Sequence, residues 1–151
     1  MSLDAYEELM GRALAQARLA QRAGEVPIGA VLVAPDGTSY EDHNRTREHS
    51  DPTAHAEVLV IRSAAAAQGD WRLEGYTLCV TLEPCAMCAG AIVLARIPRL
   101  VFGAFDPKAG MCGSLGNLVQ DDRLNHRVAV EYGVAAEECG GLLREFFRAR
   151  R

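Results

Sequence analysis

The chain has 151 residues, of which 49% are apolar and 24% charged, with a formal net charge of −4. That length is enough for one domain with a buried core, and the composition is that of a globular protein. The net charge argues mildly against a polyanionic partner. No apolar run approaches the roughly 20 residues that span a bilayer, so no membrane-spanning helix is expected.

Apolar residues at Tyr6, Met10, Ala13, Leu14, Ala17 and Ala20 recur with a helical period. They predict a helix over Leu3 to Ala23, ended by Gly24. Ile28 to Ala34 reads as a short buried strand. Pro35-Asp36-Gly37 is a turn signal, so a second strand should return through Thr38 to His43. The alanine-rich stretch Thr53 to Ala67 predicts a helix with Asp51 and Thr53 as caps, Pro52 in its first turn and Gly69 as its stop. A strand over Tyr76 to Thr81, a helix over Cys85 to Ala95 and a strand over Leu100 to Ala104 follow. After a long loop come a strand over Arg127 to Tyr132 and a helix over Ala135 to Arg148. The order α-β-β-α-β-α-β, loop, β-α predicts an α/β protein with helices on both faces of its sheet. No repeat or linker interrupts it, so a single domain over 1–151 is expected.

The N-terminal residues have no basic segment ahead of an apolar one, so no secretion signal is expected. Five cysteines is an odd number, and Cys85 and Cys88 are spaced for a metal rather than for a disulfide framework. Both features point to a reducing cytoplasm.

Two clusters carry chemistry, His55-Ala56-Glu57 and Pro84-Cys85-Ala86-Met87-Cys88. Two cysteines three residues apart in a first helical turn point the same way, so both sulfurs can reach one ion at about 2.3 Å. His55 adds a third ligand from a different helix. Three protein ligands leave a fourth tetrahedral position open, the mark of a catalytic rather than a structural zinc site. Zinc brings the pKa of bound water to about 7, so a hydroxide nucleophile exists at neutral pH. Glu57, close to His55 on one helical turn, is poorly placed to ligate. It suits a base toward that water and then an acid toward the ring nitrogen and departing ammonia. Each cluster starts a helix, whose positive end favours thiolate and hydroxide.

Cys85-x-x-Cys88 alone would also suit a redox pair or half of a zinc ribbon. Cys79, Cys112 and Cys139 provide no second pair at ribbon spacing. Cys79 and Cys139 read as small core residues, and Cys112 as an exposable loop residue without a role. His43, His49 and His126 read as surface or hydrogen-bonded histidines. At the C-terminal end Arg144, Arg148, Arg150 and Arg151 surround Phe146 and Phe147. Such a cluster suits phosphates and stacked bases, or simply a solvated helix end whose cations complement its dipole.

The pair H-x-E and P-C-x-x-C resembles the signature of zinc-dependent nucleobase deaminases. The wider chain resembles bacterial tRNA-specific adenosine deaminases (TadA type) of the cytidine-deaminase-like superfamily, themselves a standing example of that chemistry. The likeness rests on Glu25-Val26-Pro27-Ile28-Gly29-Ala30-Val31, Asn44-Arg45, Asp51-Pro52-Thr53-Ala54-His55-Ala56-Glu57 and Thr81-Leu82-Glu83-Pro84-Cys85-Ala86-Met87-Cys88-Ala89-Gly90-Ala91. It continues through Val101-Phe102-Gly103-Ala104, Asp106 with Lys108, Gly113-Ser114, Leu124-Asn125-His126, Glu138-Cys139 and Phe146-Phe147-Arg148-Ala149-Arg150-Arg151. The zinc motif marks the superfamily, and the Leu-Asn-His segment and Phe-Phe-Arg ending narrow it to the tRNA enzymes.

The resemblance implies a three-layer α/β/α cytidine-deaminase-like fold with a central mixed sheet of about five strands. It implies a cytoplasmic homodimer with one zinc per subunit, held by His55, Cys85 and Cys88. The reaction it implies is hydrolysis of the wobble adenosine of an arginine tRNA to inosine, hydroxide attacking C6 of a flipped adenine with Glu57 moving protons. It further implies that Asn44, the Ala56 backbone and Glu57 bind the adenine, and that Asp106 sits by a neighbouring ribose. Phe146, Phe147, Arg148 and Arg150 then meet flanking bases and phosphates of the anticodon stem-loop. Thr46 departs from a proline often found there, Cys112 from a loop of small residues, and the longer basic tail of some relatives is missing. Two other readings stand beside this one: a deaminase of a free base or nucleoside of guanine or cytidine type, and a non-catalytic RNA-binding module with a structural zinc. The terminal Phe-Arg cluster argues against the first and Glu57 against the second.

Overall fold

The computed structural model describes residues 1–150; Arg151, counted above in the basic cluster, lies outside them. The elements are α1 (Leu3–Arg22), β1 (Gly29–Val33), β2 (Ser39–His43), α2 (Ala56–Gln68), β3 (Thr77–Leu82), α3 (Ala86–Leu94), β4 (Arg99–Ala104), β5 (Ala129–Tyr132) and α4 (Ala136–Arg148). The long loop between β4 and β5 holds one 3-10 turn, Leu118–Gln120. The five strands form one sheet in the order β2-β1-β3-β4-β5. β1 runs antiparallel to β2 and β3, while β3, β4 and β5 run parallel. The three-layer mixed α/β fold is as expected.

Alternation along the central strands divides the core in two. Ala30, Leu32, Leu78, Val80, Leu100 and Phe102 point to one face, where they pack with Ala56, Val60, Ala89 and Ile92 of α2 and α3. Val31, Cys79 and Val101 point to the other, against Leu9, Met10 and Ala13 of α1 and Cys139 of α4. A strand covered on both faces is buried along nearly its whole length, as Thr77–Leu82 is. The edge strands instead carry Glu41, Asp42 and Glu131, charges that blunt edge-to-edge pairing. α1 lies so close to β1 that a Cβ at Gly29 would strike the Ala13 carbonyl oxygen. Among the described residues no helix is long and apolar enough to cross a membrane.

Three expectations need correction. α2 begins at Ala56 rather than Thr53, because Asp51 Oδ1 accepts from the Thr53 N–H and hydroxyl (2.8 and 2.7 Å) and closes a local turn instead of capping the helix. His55 is the cap residue in extended conformation, and Ala56 N–H donates to Asn44 Oδ1 at 2.9 Å. Likewise Cys85 is the extended residue preceding α3 rather than its first helical residue. Cys112 is buried, its N–H donating to Glu83 Oε2 at 3.0 Å. Cys79 and Cys139 are buried core residues as expected, and burial pushes both thiols up.

Candidate active site and metal centre

The C-terminal ends of β2 and β3, with the N-terminal end of the antiparallel β1 between them, open toward the N-termini of α2 and α3, where ligands of open α/β sheets collect. His55 and Cys85 hold matching places, each the extended residue before the first helical turn. Cys88 follows one turn later on α3 and is fully buried. Their donor atoms converge: His55 Nδ1 lies 3.6 Å from Cys85 Sγ and 3.5 Å from Cys88 Sγ. A tetrahedral ion with bonds of about 2.3 Å to sulfur and about 2.0 Å to nitrogen would hold S and N about 3.5 Å apart. The three residues are therefore spaced as zinc ligands without rearrangement, and no fourth histidine, cysteine or carboxylate belongs to the group among the described residues.

Electrostatics agree with that reading. Hydrogen bonds from Cys88 and His55 pull the Cys85 thiol down to about 3, and the Cys85 thiolate in turn raises His55. The same thiolate, with burial, pushes the Cys88 thiol up. Neighbouring groups alone thus support one thiolate, whereas a divalent cation supports two. Glu57, in the first turn of α2, is buried, and burial pushes its carboxyl up to about 7. A cation beside it acts in the opposite sense.

Asn44 closes the opposite side. It is buried, its Oδ1 is held by Ala56 N–H, and no protein acceptor among the described residues takes its Nδ2 hydrogens. His43 turns its ring to the Asn44 carbonyl oxygen at 2.9 Å, outside the metal group. His126 bonds Ile97 O and His49 lies beside Glu48 at the surface, so no surplus histidine enters the site.

Above these groups lies an open cleft of about 940 Å³ whose lining includes Asn44, His55, Asp106, Phe147 and Arg148. Of the C-terminal cluster, Phe147 is 51% exposed and faces the cleft with Arg148, whereas Phe146 is buried. Arg150 lies with its guanidinium 3.5 Å from the Phe146 ring centroid, outside the cleft lining. Neighbouring helical residues differ by about 100° in direction, so the two phenylalanines cannot share one role. Arg144 of the same cluster also lines the cleft, as do Phe105, which the sequence does not single out, and Lys108, which it gives only as a companion of Asp106. One signal was available: Lys108 is the only lysine of the chain.

The family model for the cytidine and deoxycytidylate deaminase zinc-binding region matches residues 3–104. A tRNA-specific adenosine deaminase of Bacillus subtilis is 54% identical over 145 residues, covering 96% of this chain and 90% of that protein. A solved structure from a study of A-to-I editing by tRNA:A34 deaminases at the wobble position is similar with a TM-score of 0.86 and 49% identity, over 90% of this chain and 99% of that one. A guanine deaminase from Nitrosomonas europaea is similar at a TM-score of 0.79 and 25% identity, over 93% of this chain and 83% of that one. The zinc named in the family description is the metal for which the His55, Cys85 and Cys88 donors are spaced. By extent and identity, the chain belongs to the cytidine and deoxycytidylate deaminase zinc-binding family, among its tRNA-specific adenosine deaminases.

Proposed function

We propose that this chain converts the wobble adenosine of a tRNA anticodon to inosine, with an arginine tRNA as substrate. The observation that carries the reading is one cleft that joins two unlike parts. Its floor has Asn44 and His55, the latter one of three grouped metal ligands beside the buried Glu57, and its rim has Lys108, Arg144, Arg148 and an exposed Phe147. A free-base deaminase requires the floor; a polyanion with stackable bases also requires the rim. In this reading the chain is one deaminase domain, working as a homodimer with one zinc per subunit.

Zinc held by His55, Cys85 and Cys88 supplies a Lewis acid that makes water nucleophilic near neutral pH. Glu57 takes a proton at its carboxylate from the attacking water. It then delivers protons to the ring nitrogen and to the departing amine, so that water and the C6 amino group exchange for a carbonyl and ammonia. Asn44 presents Nδ2 as a donor to a ring nitrogen of adenine, because Ala56 N–H already occupies its Oδ1. Ala56 thus serves the base through its backbone and by fixing Asn44. Asp106 meets a neighbouring ribose, where a 2′-hydroxyl marks RNA. Phe147 and Arg148 take a flanking base and phosphate; Phe146 and Arg150, outside the cleft lining, support the helix that carries them. Pulling a base from its stack costs a few kcal/mol, least in a loop where it is unpaired.

The test is inosine formation on an arginine-tRNA anticodon stem-loop, with free adenosine, cytidine and guanine in parallel and zinc measured on the same sample. Inosine on the stem-loop alone is expected. Turnover confined to free bases or nucleosides would overturn the RNA reading and keep the zinc chemistry.

A further inference from the structure

Glu83 is a buried carboxylate to which the mechanism above gives no part. It stands between the end of β3 and Pro84-Cys85, two residues from a metal ligand. Its two oxygens accept four hydrogen bonds, and every donor comes from the loop after β4. Oε1 takes Asp106 N–H at 2.9 Å and the Ser114 hydroxyl. Oε2 takes Cys112 N–H at 3.0 Å and Ser114 N–H at 2.9 Å. None of these donors is a cation. Burying a carboxylate without a counter-ion is costly, so a chain that needed only to fill this space would use an apolar residue. Glutamine would offer one accepting oxygen where two are in use.

The surroundings show what the carboxylate holds together. Glu83 N–H donates to Ala104 O, and Met111 N–H to Pro84 O, each at 2.9 Å, so both ends of the loop are tied to the segment that carries Cys85. Cys85 itself bridges Gly110, where a Cβ would collide with the Glu83 carboxylate. Within the loop, Asp106 Oδ1 accepts from Lys108 N–H at 3.1 Å and Asp106 O from Gly110 N–H at 2.8 Å. The turn that places Asp106 and Lys108 on the cleft wall is thereby built around the same anchor.

We propose that Glu83 is a positioning residue that sets the Asp106–Lys108 wall in register with the Cys85 segment, so that one carboxylate aligns the substrate wall with the metal site. The inference rests on the reading of the cleft as the RNA site. It predicts that disturbing Glu83 damages substrate binding through Asp106 while leaving metal in place.

The experiment uses the zinc-loaded full chain with Glu83→Gln, Asp106→Ala and the double variant, measuring zinc per chain, amide exchange, and kcat and KM on the stem-loop. Glu83→Gln should keep its zinc. The amides of Asp106, Cys112 and Ser114 should exchange about tenfold faster or more, the change expected on losing charge-assisted hydrogen bonds. KM should rise about tenfold with a smaller change in kcat, and adding Asp106→Ala should cost little more. Unchanged exchange in the loop, additive losses, or zinc loss that accounts for the whole defect would each overturn the proposal. If Glu83→Gln does not fold, Ser114→Ala removes one donor and should shift exchange and KM the same way by about threefold; no shift there is equally fatal. Amide exchange reports on Glu83 even if the wild-type chain ignores the stem-loop, so a failed substrate assignment and a failed anchor are distinguishable.

Discussion

The N-terminal turns of α2 and α3 face the same cleft as the outer turn of α4, yet the two regions are held by different means. At the floor the functional residues are set in place by the fold. Asn44 is locked to Ala56, the His55 and Cys85 backbones are set by helix starts, and buried carboxylates tie down the loops on either side. At the rim, Arg144 has an exposed partner in Glu137, and Phe147 projects into solvent. Exposed pairs of that kind contribute about 0–1 kcal/mol. The difference follows from the two tasks. Bond chemistry needs reacting groups held to within about 0.5 Å, whereas a flexible anticodon loop is held by phosphate attraction and stacking that tolerate small displacements.

If the floor carries the chemistry, the largest effect in the molecule belongs to Glu57. Glu57→Gln keeps size and polarity but cannot accept the water's proton, and kcat should fall by about 10²–10⁴, the range of general acid–base catalysis. Zinc content and Tm should stay close to wild type, since the ligands are untouched. A Gln variant with more than a tenth of wild-type kcat would remove Glu57 from the proton path.

Glu25 tests whether the floor's rigidity comes from its buried carboxylates. It accepts from Arg47 N–H at 3.0 Å, Glu48 N–H at 2.8 Å and, more weakly, the Thr46 hydroxyl, fixing the segment that follows Asn44. Burial alone would raise its carboxyl, but these hydrogen bonds outweigh it and hold the pKa below the ordinary value. A depressed carboxyl stabilises the fold above its unfolded-state pKa of about 4.3, and that stability is lost as pH falls through the folded value. Glu25→Gln should therefore cost on the order of 1–3 kcal/mol at neutral pH. It should also flatten the decline in stability below about pH 5. Equal acid sensitivity in variant and wild type, followed by urea unfolding, would show that the segment is held by something else.

The contrast between floor and rim also decides what could be read in advance. His55, Glu57, Cys85 and Cys88 stand in short motifs whose spacing states their chemistry, and the strands' apolar runs state the layers. The start of α2 is hidden from the sequence because Asn44 Oδ1, which takes the Ala56 N–H, lies twelve residues away and reaches it only after β1 and β2 pair. Glu25, Glu83 and the burial of Cys112 escaped notice for a related reason. Their partners are backbone N–H groups 22 to 31 residues distant, and a backbone donor leaves no mark in residue type. At the rim, adjacency in sequence made Phe146 and Phe147 look alike, and helical geometry separates them.

Smaller effects are expected from the rim itself. Arg148→Ala should raise KM for the stem-loop by less than about tenfold, leave kcat nearly unchanged, and lower the salt dependence of binding by about one ion's worth. Lys108 permits a sharper measurement without mutation. As the only lysine it shares its reactivity toward amine reagents with the N-terminal amine alone, and it stands exposed on the cleft lining. Saturating stem-loop should slow its reductive methylation several-fold, because a bound phosphate covers the amine. The N-terminal amine lies at Met1, in a separate hollow formed with Gly75, Tyr76 and Pro98, and serves as the internal control. Slowing at Lys108 alone would place RNA on the rim. Equal rates at both amines, with and without stem-loop, would mean that the floor binds its substrate unaided and that the rim's cations serve the helix end.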